Sequence, residues 1–143
     1  DGDLFQDLLD TMAANRSDWT LSFRHLAQLV ADAHAPIPPA LAAQFSREPQ
    51  RFAEWVARYR ARLRAENSDD TARAMAMNAV NPHVVLRHHL AQAAIAQAEA
   101  GDFTEVRRLL HALTRPFDAQ AAPPHYAEPP PEHAPPACLS CSS

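Results

Sequence analysis

The only two cysteines of the chain stand two residues apart near its end, in Cys138-Leu139-Ser140-Cys141. Thiols at that spacing can close a small disulfide, lower each other's effective pKa, or supply half of a zinc site. A zinc site would have to be completed by His125 and His133 from the same proline-rich stretch, a spacing that fits no familiar zinc pattern. In a thioredoxin-like enzyme the motif opens a helix within a strand–helix unit, and no such unit precedes it here. A redox-active tail is the sharper reading. Two exposed thiols without a role is the plain one, and the motif alone does not choose between them.

The other groups able to do chemistry have ordinary explanations. Eight histidines are present, and His88 and His89 are neighbours, so on a helix they diverge by about 100° and do not share a metal easily. His83 and His88, five apart, are equally poor ligand spacing, and these histidines read as polar surface or helix ends. Arg58, Arg60, Arg62 and Arg64 form a basic run whose members alternate around a helix, which reads as a solvated face rather than an anion-binding stripe. Glu54 and Glu66 dilute its field. All thirteen basic residues are arginine, so Schiff-base chemistry and a phosphate-pairing lysine are excluded from this chain. The two glycines, Gly2 and Gly101, form no phosphate-cradling loop, and the carboxylates fall mostly at helix starts, where capping is their usual work. No catalytic, cofactor-binding or metal-binding residue is assigned.

The elements that must carry these residues are helical. Glycine is scarce, alanine is abundant, and no stretch alternates long enough for a sheet. Leu4, Phe5, Leu8, Leu9 and Met12 share one helical face behind Asp3 as a cap. A helix after Asp18 buries Phe23, Leu26, Leu29 and Val30. Ala35 to Pro39 interrupts, because proline lacks the donor a helix interior needs, and a short helix from Pro39 to Phe45 is possible. Phe52, Trp55, Val56, Tyr59 and Leu63 make the clearest stripe, with Glu54 and Arg58 placed to pair. Asn67 to Asp70 breaks and caps before a helix from Thr71 to Val80. Asn81-Pro82 is expected to start the next helix, carrying Val85, Leu86, Leu90 and Ile95 inward to a stop at Gly101. Asp102 and Glu105 form a capping-box-like pair for a last helix burying Phe103, Val106, Leu109, Leu110 and Leu113. Beyond Pro116 the chain is proline-rich and extended, with Tyr126 the one aromatic able to anchor it. The expectation is an all-α body of about six helices over residues 1–118 and an extended tail over 119–143.

With 143 residues, 47% of them hydrophobic, the chain is long enough to bury a core. A net charge of −4 argues against a general nucleic-acid binder. No run spans a bilayer and no signal peptide is visible, so cytoplasmic amino-acid usage fits. The start at Asp1, which enters a helix almost at once, reads as a cut inside a longer protein.

From Met77 the residues stop being generic. Met77-Asn78-Ala79-Val80-Asn81-Pro82-His83-Val84-Val85-Leu86-Arg87, then Leu90-Ala91-Gln92 and Ala94-Ile95, resembles a stretch of the selenoprotein O family. The likeness continues through Ala98-Glu99-Ala100-Gly101-Asp102-Phe103, Leu109-Leu110, Arg115-Pro116-Phe117-Asp118 and Tyr126-Ala127 to Cys141-Ser142-Ser143. Further back, Asp18-Trp19-Thr20, Phe23-Arg24, Leu26-Ala27 and the Trp55–Tyr59–Leu63 helix fit preceding segments. His88 replaces an expected asparagine and His133 an expected tryptophan.

The resemblance implies a bacterial protein adenylyltransferase with a protein-kinase-like fold, which transfers AMP from ATP to Ser, Thr or Tyr hydroxyls of protein substrates with Mg2+ or Mn2+. The family's ATP and metal ligands lie upstream, in a kinase-like core absent from this chain, which would be its partner. Cys141 matches the position third from the end where some members carry selenocysteine, and Cys138 the first member of that pair. In the family this end is tied to redox control, including a disulfide to the core in some bacterial members; whether Cys141 pairs with Cys138 or with a core cysteine stays open. This chain is thus expected to be a non-catalytic C-terminal segment that supports the core and regulates it by redox. The competing reading is an independent helical interaction module without an enzymatic parent, and a weaker third is metal binding by the tail.

Overall fold

The computed structural model describes residues 2–130; Cys138, Cys141 and His133 lie outside the described residues. The architecture is all-α, with seven α-helices and one 3-10 turn among the described residues. They fall into two compact units that divide between Asn81 and Pro82.

The first unit holds α1 (Gly2–Asn15), α2 (Trp19–Leu26), the short α3 (Pro39–Ala43), α4 (Pro49–Ala65) and α5 (Asp70–Val80). Leu8 and Met12 of α1 meet Phe52, Trp55 and Val56 of α4, and Leu26, Leu29, Leu41 and Phe45 complete the core. Each large apolar side chain so buried contributes roughly 1.5–3 kcal/mol. Phe45 and Phe52 stack with ring centroids 3.6 Å apart, Phe52 continues onto Trp55 at 5.9 Å, and Trp55 onto Tyr59 at 5.0 Å. The α4 stripe is therefore an aromatic column, and the Trp55 indole N–H donates to the Leu4 carbonyl at 2.8 Å, tying α4 to α1.

Local chemistry sets the helix ends. Asp18 accepts from the Leu21 amide and Asp69 from the Ala72 amide, so α2 and α5 start where their acidic caps stand. Asp3 lies inside the first turn of α1, where its charge suits the helix dipole, and is not its cap. Buried Asn15 fixes the chain that leads into α4. Its Oδ1 accepts from the Arg47 and Glu48 amides, and its Nδ2 donates to the Thr11 carbonyl.

The second unit contains α6 (His88–Glu99), α7 (Thr104–Leu113) and the 3-10 turn Pro124–Tyr126. Its core is Val84, Leu90, Ala94, Leu109, Ala112 and Tyr126. Gly101 ends α6 at φ +89°, a left-handed conformation in which any Cβ would be strained, and the Asp102 amide closes back on the Gln97 carbonyl.

Three further expectations about the fold are changed. Asn81-Pro82 does not start a helix. The Asn81 side chain donates back to the Met77 carbonyl, finishing α5, and the His83 and Val84 amides donate to the Pro116 carbonyl. Residues 82–87 are thereby held in an irregular, non-helical path, and α6 begins at His88. Glu54 does not pair with Arg58. Arg58 reaches Asp7 at 2.6 Å and Glu54 accepts from Gln50. The apolar rows of α6 and α7 are only half covered: Leu86, Ile95, Phe103, Val106 and Leu110 are exposed.

Candidate functional site

Arginines of the first unit do positional work that their spacing concealed. Arg60 is 5% exposed, and its guanidinium donates to the Val30 carbonyl at 3.1 Å and the Pro36 carbonyl at 3.3 Å. Arg64 donates to Ala31 O at 2.7 Å and Arg73 to Leu29 O at 2.6 Å. Three guanidinium groups thus hold the carbonyls of the segment between α2 and α3, which has no helix of its own to satisfy them. Arg24 does the same at the end of α5, donating to the carbonyls of Asn78 and Asn81, and its partial burial lowers its pKa. The basic run is therefore split. Arg58 and Arg62 are exposed and paired, with Asp7 and Glu66, whereas Arg60 is buried, which corrects the reading of the run as one solvated face.

The carboxylate that completes this network is Asp70. It takes the Arg73 guanidinium at 2.6 Å and the Ala31 amide at 3.0 Å. The bond from Arg73 holds the Asp70 carboxyl below its ordinary value. Nearby, a groove of about 420 Å³ is lined by Phe5, Phe23, Trp55, Tyr59 and Met77, with Arg62, Glu66 and Arg73 on its wall. Burial raises the Tyr59 phenol, with Arg73 opposing that shift. This groove is an aromatic surface without a convergent acid–base pair.

In the second unit Tyr126 is fully buried and its hydroxyl donates to Glu105 of α7. Burial first, and the Glu105 carboxylate second, push the phenol up to about 12. Glu105 therefore serves the tyrosine instead of a capping box, and Phe103 stands at the cap position of α7, with Asp102 before it accepting from the Thr104 amide in a local turn. Hydrogen bonds from the Thr104 hydroxyl first, and its amide second, lower the Asp102 carboxyl. Arg87 donates to the Ala127 carbonyl at 3.3 Å, a second tie from the start of α6 to the proline-rich segment. His125 packs edge-on against Tyr126. His89 is half-buried, and burial pulls its imidazole below the usual value, helped by the positive Arg87 nearby. His83 lies in the irregular segment, so it does not share a helix with His88. The remaining feature of this unit is an open apolar groove of about 560 Å³ between α6 and α7.

Among the described residues no three His, Cys, Asp or Glu side chains converge in a way that would hold a metal ion, and no helix is long and apolar enough to cross a membrane. Cys138 and Cys141 are outside the described residues, so the geometry does not place the two thiols beside any of these groups.

The sequence likeness to known relatives runs the length of the chain. The family described as Protein adenylyltransferase SelO matches residues 1–114. This chain belongs to that family. It is 49% identical over 145 residues to the protein nucleotidyltransferase YdiU of Burkholderia multivorans, and 47% identical over 143 residues to the proteins of that name in Burkholderia ambifaria and Burkholderia vietnamiensis. In each case all of this SelO-family chain is covered, and it spans 27% of the relative's length. The sequence reading missed Arg60 as a positioning residue. The available signal was its place four residues after Val56 and three before Leu63, both buried on the same face.

Proposed function

We propose that this chain is the C-terminal helical segment of a protein adenylyltransferase, supporting an upstream kinase-like core that transfers AMP from ATP to Ser, Thr or Tyr hydroxyls of proteins. The family membership carries this reading, together with relatives named nucleotidyltransferases that are almost four times as long. Such a core, acting in the bacterial cytoplasm, would use ATP with Mg2+ or Mn2+. The residues here do not fit either group: no lysine is present, the glycines stand singly, and no carboxylates converge among the described residues. No step of the transfer is therefore assigned to this chain.

Its chemical contribution is regulatory. By exchange with a small-molecule disulfide, which leaves as two thiols, Cys138 and Cys141 would form a disulfide with each other or with a core thiol; a thiol reductant would release it, and the exchange would gate the parent's activity. ATP-dependent AMP incorporation into protein tests the whole reading. Labelling is expected from the full-length parent and not from the 143-residue chain, and labelling by the short chain would overturn it. Parent activity indifferent to reductant and to Cys141→Ser would remove the redox part alone.

The exposed apolar grooves are what a free-standing interaction module would also show. That alternative predicts a gene without an upstream kinase-like region.

A further inference from the structure

We infer that the outer face of the α6–α7 pair is the seat of an apolar helix face supplied by the remaining polypeptide of the longer parent. This deepens the reading above and rests on it.

The α7 helix has two apolar rows. Leu109 and Ala112 point into the unit's core, whereas Val106 and Leu110 face outward, Leu110 at 62% exposure. Ile95 of α6 and Leu86 before it extend the outward row, each 57% exposed. Between them runs the open groove of about 560 Å³, with Ala91, Ala94 and Ala98 along α6. Alanines on one wall let a third helix approach to the short end of the usual 8–10 Å interaxial range, so that its apolar side chains could fill the space. Glu99 is the one charged side chain in the lining. A phosphate, a nucleic acid or an acidic peptide would find no counter-charge there, while an apolar row would. Contiguous apolar surface of this kind is unusual on a protein that has to remain monomeric in water.

The occupant follows from length. The region compared is 27% of the relatives, so the other 73% of those chains (100 minus 27) lies outside it. Polypeptide tethered to the groove is present at a high effective concentration, so a surface of modest area stays filled. A separate partner or a second copy would have to bind from dilute solution and meet the full association cost. Ordinary helix-on-helix packing is enough to seat the tethered segment, and no reactive group is involved.

The test compares the full-length parent with the 143-residue chain, each carrying Ile95→Cys with Cys138 and Cys141 changed to serine, and follows maleimide labelling of the α6 peptide by mass spectrometry. Labelling at least tenfold slower in the parent is expected. Equal rates would overturn the proposal. So would slow labelling in both proteins, whether the short chain elutes as a dimer, making a second copy the occupant, or as a monomer that covers its own groove. In parallel, the paired change Ile95→Asp and Leu110→Asp should lower the melting temperature of the parent by several degrees and leave that of the short chain within a degree. A parent that protects the groove but transfers no AMP fails only the activity reading. A parent that transfers AMP with the groove fully reactive fails only this one.

Discussion

In the unit of residues 2–81 the core is filled from within: four aromatic rings stack from Phe45, just past α3, along α4, and arginines tie the connecting segments down by their carbonyls. In the unit that starts at Pro82 the two helices leave a core of six residues, and its largest member, Tyr126, comes from the proline-rich segment beyond them. The first unit draws its core from its helices and from Leu29 and Phe45 in the segments that connect them, and its groove is aromatic with charged side chains on the wall. The other is completed from outside its helix pair on one face and left open on the opposite face. The difference teaches that a strongly amphipathic helix states how much apolar surface must be covered, and not by what.

The sharpest way to break the comparison is to hollow out the aromatic column. Trp55→Ala removes a ring stacked between Phe52 and Tyr59 and its bond to Leu4, and should cost about 3–5 kcal/mol. Hydrogen exchange of α1 and α4 amides checks it, and an effect under about 1 kcal/mol would mean that the column is not the core's keystone. Next in size is Arg60→Met. It keeps most of the apolar stem but leaves the Val30 and Pro36 carbonyls without this donor, and should cost about 2–3 kcal/mol. Urea unfolding reads the loss. Proteolysis should then start between α2 and α3, the segment that Arg60 holds.

The second unit is tested at Tyr126. Tyr126→Phe deletes only the hydroxyl that donates to Glu105, and should cost about 1.5 kcal/mol at neutral pH. The folded phenol titrates near 12, above its ordinary value of 10.0. A raised acid stabilises the fold fully below the unfolded value, and that stabilisation is lost as pH rises through the folded one. The stability of α6 and α7 should therefore fall between pH 10 and about 12 in the wild type and much less in Tyr126→Phe. Parallel profiles would show that the hydroxyl is not held as described.

How far these features were legible depends on whether their cause is local. The Asp18 and Asp69 caps, the Gly101 stop and the Phe52–Trp55–Val56–Leu63 stripe follow from neighbours within one or two turns, and each stands where the sequence put it. The anchoring role of Tyr126 was also readable, because nothing else in its segment is large and apolar. Asn81-Pro82 misleads because two local rules compete. Asn caps a helix start, but it can equally finish the helix before, and the Pro116 carbonyl, over thirty residues on, decides between them by taking the His83 and Val84 amides. Burial of Arg60 and exposure of Leu86, Ile95 and Leu110 are likewise settled by distant backbone and by what lies beyond the helix pair. The place of Arg60 beside Val56 and Leu63 marks its face, whereas the exposure of Leu86, Ile95 and Leu110 leaves no trace in periodicity.

The smallest effect discriminates between the two ways a loop can be held. Asp70 is the acidic member of the network that fixes the segment after α2, and its carboxyl titrates below the ordinary 3.8 because Arg73 binds it. A depressed acid stabilises the fold above its unfolded pKa, and that contribution is lost as pH falls through the folded value. Since the Asp70 side chain is 39% exposed, solvent screening limits the pair to about 0.5–1 kcal/mol, less in high salt. Asp70→Asn should therefore cost little at pH 7 and nothing additional below the folded value, where the wild type has lost the same charge. Arg60→Met, whose loss concerns carbonyls that do not titrate, should be as costly at pH 3 as at pH 7. If both variants tracked pH alike in urea unfolding, the segment would be held by its ion pair. If only Asp70→Asn converges with the wild type in acid, the carbonyl bonds from Arg60, Arg64 and Arg73 are what keep that segment in place.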